Sequence, residues 1–315
     1  MKIVVFEKDS VMEGGIDYSV LESVADVTYY GGIPEGDIAA VIGDSDGVIV
    51  NKTIISADIM DRCKNLKYIG TFATGYNNID VDRATKRNIT VCNVPAYSTD
   101  GVAQLTISFI LYTATSLGDY ITSVRNGDWK RSKTFCYYPY YITELAGKTL
   151  GIVGFGSIGQ RVAEIAKSLK MNVLVYSRTK KDSEFPFVSF EELLKTSDYV
   201  SLHLPLSKES EKMIDERALS LMKNSAVLIN TARGGLIDET ALAKALKEGK
   251  IRASCHDVVT FEPMKEDCEL FGIDNCFITP HVAWAGKETR QRLVDIAGEN
   301  VKKFLEKTPQ NVVNK

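Results

Sequence analysis

Cysteine is sparse and unpatterned, with six residues at positions 63, 92, 136, 255, 268 and 276 and no C-x-x-C pair among them. A chain of 315 residues buries enough apolar surface to fold without disulfide staples. Cys255, His256, Cys268 and Cys276 lie close in sequence, but their spacing matches no zinc site, so no metal is expected. Positive charge is not in excess either. A net charge of −3 provides no broad basic field for a phosphate backbone or an anionic membrane, so neither nucleic acid nor lipid is an expected partner. No apolar run reaches the roughly 18 residues of a spanning helix, and charge interrupts Met1–Asp9 before a leader core can form. A reduced, cytoplasmic protein is the expectation.

What is present is a βα rhythm. Five β-rich runs, Ile3–Phe6, Val27–Tyr30, Gly47–Val50, Leu66–Thr71 and Ile89–Asn93, alternate with amphipathic stretches and are punctuated by Gly31-Gly32, Pro34 and Pro95. A long helix is expected from Thr99 to Val124, capped by Asp100 and ended by Asn126-Gly127. Six further strands follow in a second series, at Thr149–Val153, Val173–Tyr176, Tyr199–Leu204, Ala226–Asn230, Ala253–Val258 and Cys276–Thr279. The tail from Gly286 to Phe304 reads as an amphipathic helix, apolar at Leu293, Ile296, Ala297, Val301 and Phe304, that returns to the first series. The fold class is therefore α/β, with two doubly wound parallel-sheet domains. Residues 1–98 and 286–315 form a flavodoxin-like domain, and residues 99–285 an inserted Rossmann domain.

The sharpest motif is Gly154-Phe155-Gly156-Ser157-Ile158-Gly159, set between the apolar strand Thr149–Val153 and a helix with Ile158, Val162, Ile165 and Leu169 on one face. In a dinucleotide site, Gly154 makes the tight turn, Gly156 lets the pyrophosphate approach, and Gly159 lets helix and sheet pack closely. The helix N–H groups and dipole then hold the phosphate charge. Where NAD sites usually end the second strand with a carboxylate, this chain reads Tyr176-Ser177-Arg178-Thr179-Lys180-Lys181. Arg178 can pair with a 2′-phosphate, with Ser177 and Thr179 donating hydroxyls, which favours NADP(H). NAD(H), held through other contacts beside a solvated basic loop, is the alternative.

Polar residues then follow three successive strands, where an open α/β sheet binds its ligands. Arg233 follows the Ala226–Asn230 strand, Asp257 and Glu262 follow the next, and His281 follows the last. Reduction of a 2-oxo acid needs a cation for the carboxylate and ketone and an acid to protonate the oxygen. Arg233 is a permanent bidentate cation, His281 titrates near neutrality, and Glu262 can orient the imidazole and raise its pKa.

These segments, with Ala73-Thr74-Gly75-Tyr76-Asn77-Asn78-Ile79-Asp80, His203-Leu204-Pro205-Leu206, Asn230-Thr231-Ala232-Arg233-Gly234 and Thr279-Pro280-His281, resemble the D-isomer-specific 2-hydroxyacid dehydrogenases over essentially the whole chain. The resemblance implies that Arg233, Glu262 and His281 are catalytic and that Thr74 and Gly75 amides hold the substrate carboxylate. It implies cofactor contacts from Gly154, Gly156, Ser157, Ile158, Gly159, Leu204, Pro205, Thr231, Ala232, Asp257 and His281, the last two at the nicotinamide end. Trp284 resembles a residue of glycerate dehydrogenases, also called hydroxypyruvate or glyoxylate reductases, and an indole there narrows the pocket; a packing Trp is the other reading. The expected activity is NAD(P)H-dependent reduction of a small 2-oxo acid and its reverse. Phosphoglycerate- or D-lactate-type specificity, and a cofactor-sensing corepressor-like protein, are the alternatives. The resemblance also implies a homodimer, with the helix from Thr99 as a candidate contact.

Overall fold

The computed structural model describes residues 1–179 and 182–314, and it divides into one compact unit of residues 1–98 and 284–315 and another of residues 99–283. Strand β1 (Lys2–Val5), β2 (Asp26–Tyr29), β3 (Gly47–Val50), β4 (Tyr68–Thr71) and β5 (Thr90–Cys92) build the first unit's parallel sheet in the order β2-β1-β3-β4-β5. This is the flavodoxin-like order. Because strand side chains alternate, Val4, Val48, Val50 and Ile69 face one core with Ile38, Ile42 and Met60, while Ile3, Val5, Ile49 and Tyr68 face another. That second core is closed by the long helix Lys287–Leu305, through Leu293, Val294, Ala297 and Val301. The segment after it forms an antiparallel bridge, Cys92 to Val312, on the outer edge of β5. A sheet edge that would expose unpaired backbone groups is thereby covered.

In the second unit the strands are β6 (Thr149–Val153), β7 (Asn172–Tyr176), β8 (Tyr199–Leu202), β9 (Val227–Asn230), β10 (Ala253–His256) and β11 (Cys276–Ile278). They run parallel in the order β11-β10-β9-β8-β6-β7. Outside β7, Phe187 makes a single parallel bridge to Val175, with Val175 N donating to Pro186 O and Val188 N to Val175 O, each at 2.9 Å. This position belongs to the third strand of a dinucleotide fold, here reduced to one bridge.

Two local expectations need correction. The helix from Thr99 is not continuous: Thr99–Thr115 ends at Ser116, which has φ 46°, and Leu117–Arg125 continues at a bend of 57°. Thr113 and Thr115 hydroxyls donate back to Phe109 O and Leu111 O, and the Ala114 carbonyl freed by the break accepts from Thr143 N. Asp100 lies inside the first turn and accepts from Arg161 Nε at 2.9 Å rather than capping the helix. Among the described residues no single helix is long and apolar enough to cross a membrane.

Candidate active site

The glycine loop leaves β6 at the sheet's switch point, between β6 and β8. Gly154 has φ 97°, and a Cβ there would stand 2.5 Å from His203 O, so both the turn and the neighbouring strand end demand glycine. A Cβ on Gly159 would lie 2.2 Å from Gly154 O, which brings the Ser157–Ser168 helix onto its own loop. That helix rests on Gly159, Val162, Ala163 and Ala166, with Ile158, Ile165 and Leu169 only partly buried beside them. The expected apolar stripe is therefore the flank of the contact. Small residues take its centre because the helix lies close to the sheet.

Gly156 is different. Its backbone is extended (φ −78°, ψ −168°), and a Cβ there would meet nothing within 4 Å. The protein's own packing does not require glycine at this position, whereas close approach of a pyrophosphate does. No side chain caps the helix that begins at Ser157, so its first N–H groups remain available to phosphate oxygens. The residues fit a dinucleotide.

Beyond β7, Ser177 is half-buried, Arg178 and Thr179 are exposed, and Lys180 and Lys181 lie outside the described residues. The run from Tyr176 to Lys181 holds no carboxylate, but the fold brings one from elsewhere. Glu209, on the turn after Leu204-Pro205, stands 4.0 Å from Arg178, with both side chains at least 70% exposed. The Ser207 hydroxyl donates to Glu209 at 2.7 Å and lowers its pKa. Leu204 is half-buried against the core, and Pro205 O accepts from Ser210 at 2.8 Å.

The three polar strand ends are neighbours because β9, β10 and β11 are neighbours. Asn230, His256 and Ile278 stand level in the register, so Arg233 and His281 each follow the same line across the sheet. Asn230 is fully buried; its Oδ1 accepts from Ala232 N at 3.0 Å and its Nδ2 donates to Arg233 O at 2.9 Å. The turn carrying Arg233 is locked by that one side chain. Thr231 is buried and shares a 3.0 Å hydroxyl bond with Thr106 of the Thr99–Thr115 helix. Arg233 is exposed, Nη1 donates to Ala232 O at 2.7 Å, and among the described residues no carboxylate lies within ion-pair distance of it. A Cβ on Gly234 would lie 2.0 Å from the Val259 carbonyl carbon, so the Arg233 turn packs backbone to backbone on the turn that leads to Glu262.

His281 Nδ1 lies 2.7 Å from Glu262 Oε2, with the two side chains 28% and 31% exposed. The Glu262 carboxylate also accepts from Val259 N at 3.3 Å. With Nδ1–H given to Glu262, the other imidazole nitrogen is free to exchange a proton with a ligand. The chain's other two histidines are unsuited to that work. Burial pushes His256 down to about 4 and His203 down to about 3, so both stay neutral across the ordinary pH range.

Nothing in the sequence announces the task the fold gives Asp257. It is 1% exposed, and Oδ1 accepts from Thr279 Oγ1 at 2.6 Å and Val282 N at 2.8 Å, while Oδ2 accepts from Ala283 N at 2.8 Å. His281 N donates to Asp257 O at 2.8 Å. His281 itself has φ 53°, a conformation uncommon for a non-glycine residue, and the carboxylate fastens the chain on both sides of it.

Thr74, Gly75 and Trp284 belong to the other unit. Thr74 Oγ1 donates to Val94 O at 2.8 Å, and among the described residues no partner takes the N–H of Thr74 or of Gly75. Trp284 is half-buried and packs on the core that also holds Leu293 and Tyr68.

Residues 107–283 match the family model for the D-isomer specific 2-hydroxyacid dehydrogenase NAD-binding domain. The whole chain is 39% identical to the whole of a hydroxypyruvate reductase from Blautia hydrogenotrophica. A glycerate dehydrogenase from Methylorubrum extorquens is 42% identical over 84% of each chain. Among solved structures, the NADPH-dependent glyoxylate/hydroxypyruvate reductase of Sinorhizobium meliloti, in complex with NADP and malonate, superimposes with a TM-score of 0.81 at 28% identity, covering 96% of this chain and 93% of that one. An intact glycine loop, a paired histidine and this identity along the full length have one reading: the chain belongs to the D-isomer specific 2-hydroxyacid dehydrogenase family, an oxidoreductase with a nicotinamide-dinucleotide domain.

Proposed function

We propose that the protein reduces a small 2-oxo acid, hydroxypyruvate or glyoxylate, to the D-2-hydroxy acid, and catalyses the reverse oxidation. The observation that carries this reading is the 2.7 Å Glu262–His281 pair on two strand ends, with Arg233 on the next strand end in no ion pair among the described residues. A nicotinamide dinucleotide, held by Gly154, Gly156, Ser157, Ile158 and Gly159, supplies or takes up the hydride. Arg233 binds the substrate carboxylate by two parallel bonds and draws electron density from the ketone. His281, protonated and stabilised by Glu262, gives its proton to the carbonyl oxygen as the carbon is reduced, and takes one back in the oxidation. Thr74 and Gly75 offer amides to the carboxylate. Trp284 limits the substrate's size. The names of the relatives, a hydroxypyruvate reductase and a glycerate dehydrogenase, support the small-substrate class.

For the cofactor we favour NADP(H). Arg178 is exposed, and its one carboxylate neighbour among the described residues, Glu209, is 4.0 Å away and equally exposed, so a 2′-phosphate can displace it. Leu204, Pro205, Thr231 and Ala232 line the strand ends that the cofactor follows. A homodimer is supported by apolar side chains on the second unit, among them Leu117, Ile121, Trp129 and Tyr138, with Phe135 90% exposed.

The test is a panel of kcat/KM values for hydroxypyruvate, glyoxylate, pyruvate and 3-phosphohydroxypyruvate with NADPH and NADH. Preference for the first two supports the reading. Preference for either of the others reassigns the substrate, and no turnover with any of them sinks it.

A further inference from the structure

The amides of Thr74 and Gly75, which have no partner among the described residues, can serve an anion only if their N–H bonds point where it sits. A trans peptide is planar, with its carbonyl and its N–H opposed, so fixing one oxygen fixes the direction of the next residue's N–H. Both oxygens that matter here are held. Ala73 O accepts from Val94 N at 2.9 Å and from Thr71 Oγ1 at 2.8 Å, which sets the Thr74 N–H. Thr74 O accepts from Asn93 Nδ2 at 2.7 Å, which sets the Gly75 N–H.

Asn93 is itself held on both sides. Its N–H donates to Asn311 O at 3.1 Å, and its carbonyl accepts from Asn300 Nδ2 at 2.9 Å. Asn311 Nδ2 in turn donates to Asn300 Oδ1 at 2.9 Å. The segment beyond Asn311 is fastened to the same strand edge, where Val313 N donates to Val91 O and Asn314 Oδ1 accepts from Val91 N. A row of asparagines thus runs from Asn311 through Asn300 and Asn93 to the peptide between Thr74 and Gly75.

We propose that Asn93 is a positioning residue for the Gly75 N–H, and that Asn300 and the segment 311–314 hold Asn93 in that role. The inference rests on the reading of Thr74 and Gly75 as carboxylate donors. Asn93→Asp keeps the shape but replaces the donor with an acceptor, turning Thr74 O away. In the cofactor-loaded full chain, the Kd of oxamate, a non-reacting 2-oxo acid analogue, rises roughly tenfold, the scale of one hydrogen bond to an anion. The Kd of NADPH stays within about twofold, because the change is local. Asn300→Ala, which leaves the Asn93 side chain intact, gives a smaller rise in the same direction and covers the case in which the first variant fails to fold.

Unchanged oxamate affinity in whichever variant folds overturns the inference, as does an equal loss for oxamate and NADPH. The underlying reading is tested separately, by the Gly75 amide resonance of glycine-labelled wild type. If oxamate does not shift it, the carboxylate seat is elsewhere and the reading falls. If oxamate shifts it but the variants bind normally, only the role of Asn93 falls.

Discussion

Glu262 accepts from His281 Nδ1 at 2.7 Å although the two residues leave different strands of the sheet. Their pairing makes the acid/base assignment open to a double test. His281→Ala lowers kcat by at least roughly 100-fold in either direction, the scale expected of a general acid. Glu262→Gln keeps the shape of the pair but removes the negative charge that faces the imidazole, so kcat falls in both directions, by less than for His281→Ala. Steady-state kinetics in each direction check both. Wild-type turnover from His281→Ala would remove that residue from the role.

A second expectation concerns the residue behind the histidine. Asp257→Asn places a mixed donor-acceptor group against Thr279, Val282 and Ala283, all of which donate to the carboxylate. The left-handed turn at His281 loosens and the Glu262 pair separates. The loss should fall on kcat, by roughly 100-fold or more, with the Kd of NADPH little changed. If the main effect were instead weaker NADPH binding at a retained kcat, Asp257 would be a cofactor contact rather than a fastener of the loop.

Cofactor choice provides a third. Arg178→Ala should weaken NADPH by roughly ten- to a hundredfold and NADH by little, since a cation on a 2′-phosphate is the difference between them. Glu209→Gln frees Arg178 and should tighten NADPH. Fluorescence titration with both cofactors measures this, and an equal loss for both on Arg178→Ala returns the loop to an ordinary solvated surface.

The fourth is a stability window. His256 is 1% exposed, its Nε2 finds no partner among the described residues, and burial pushes its pKa from 6.5 down to about 4. Between those values the unfolded chain binds the proton and the folded chain does not. Stability is therefore full above pH 6.5 and falls as pH drops toward 4, with His256 accounting for about 3 kcal/mol of the loss once both states are protonated. Asp198 and Asp238, whose carboxyls are held below 3.8, act at lower pH still. Urea melts of wild type and His256→Gln from pH 7.5 to 4 separate the contributions. Parallel declines in the two proteins would count against His256.

Much of this was legible in the residues. The β-rich runs locate both sheets because a parallel strand buried on two faces must be continuously apolar, and the glycine loop is legible because two of its glycines are sterically compelled. Other features were not legible, for physical reasons. Ser116 breaks a helix whose apolar spacing runs on through it, and the compensation comes from Thr143, far along the chain. Glu209 reaches Arg178 only because β8 ends beside β6. The tasks of Asp257 and Asn93 depend on which N–H groups the fold leaves around them, and that information is not local.

Gly234 sets a limit of another kind. With its backbone lying on that of Val259, there is no side chain between the turn that presents Arg233 and the turn that presents Glu262. The two charges cannot be retuned independently by small substitutions, because moving one turn displaces the other.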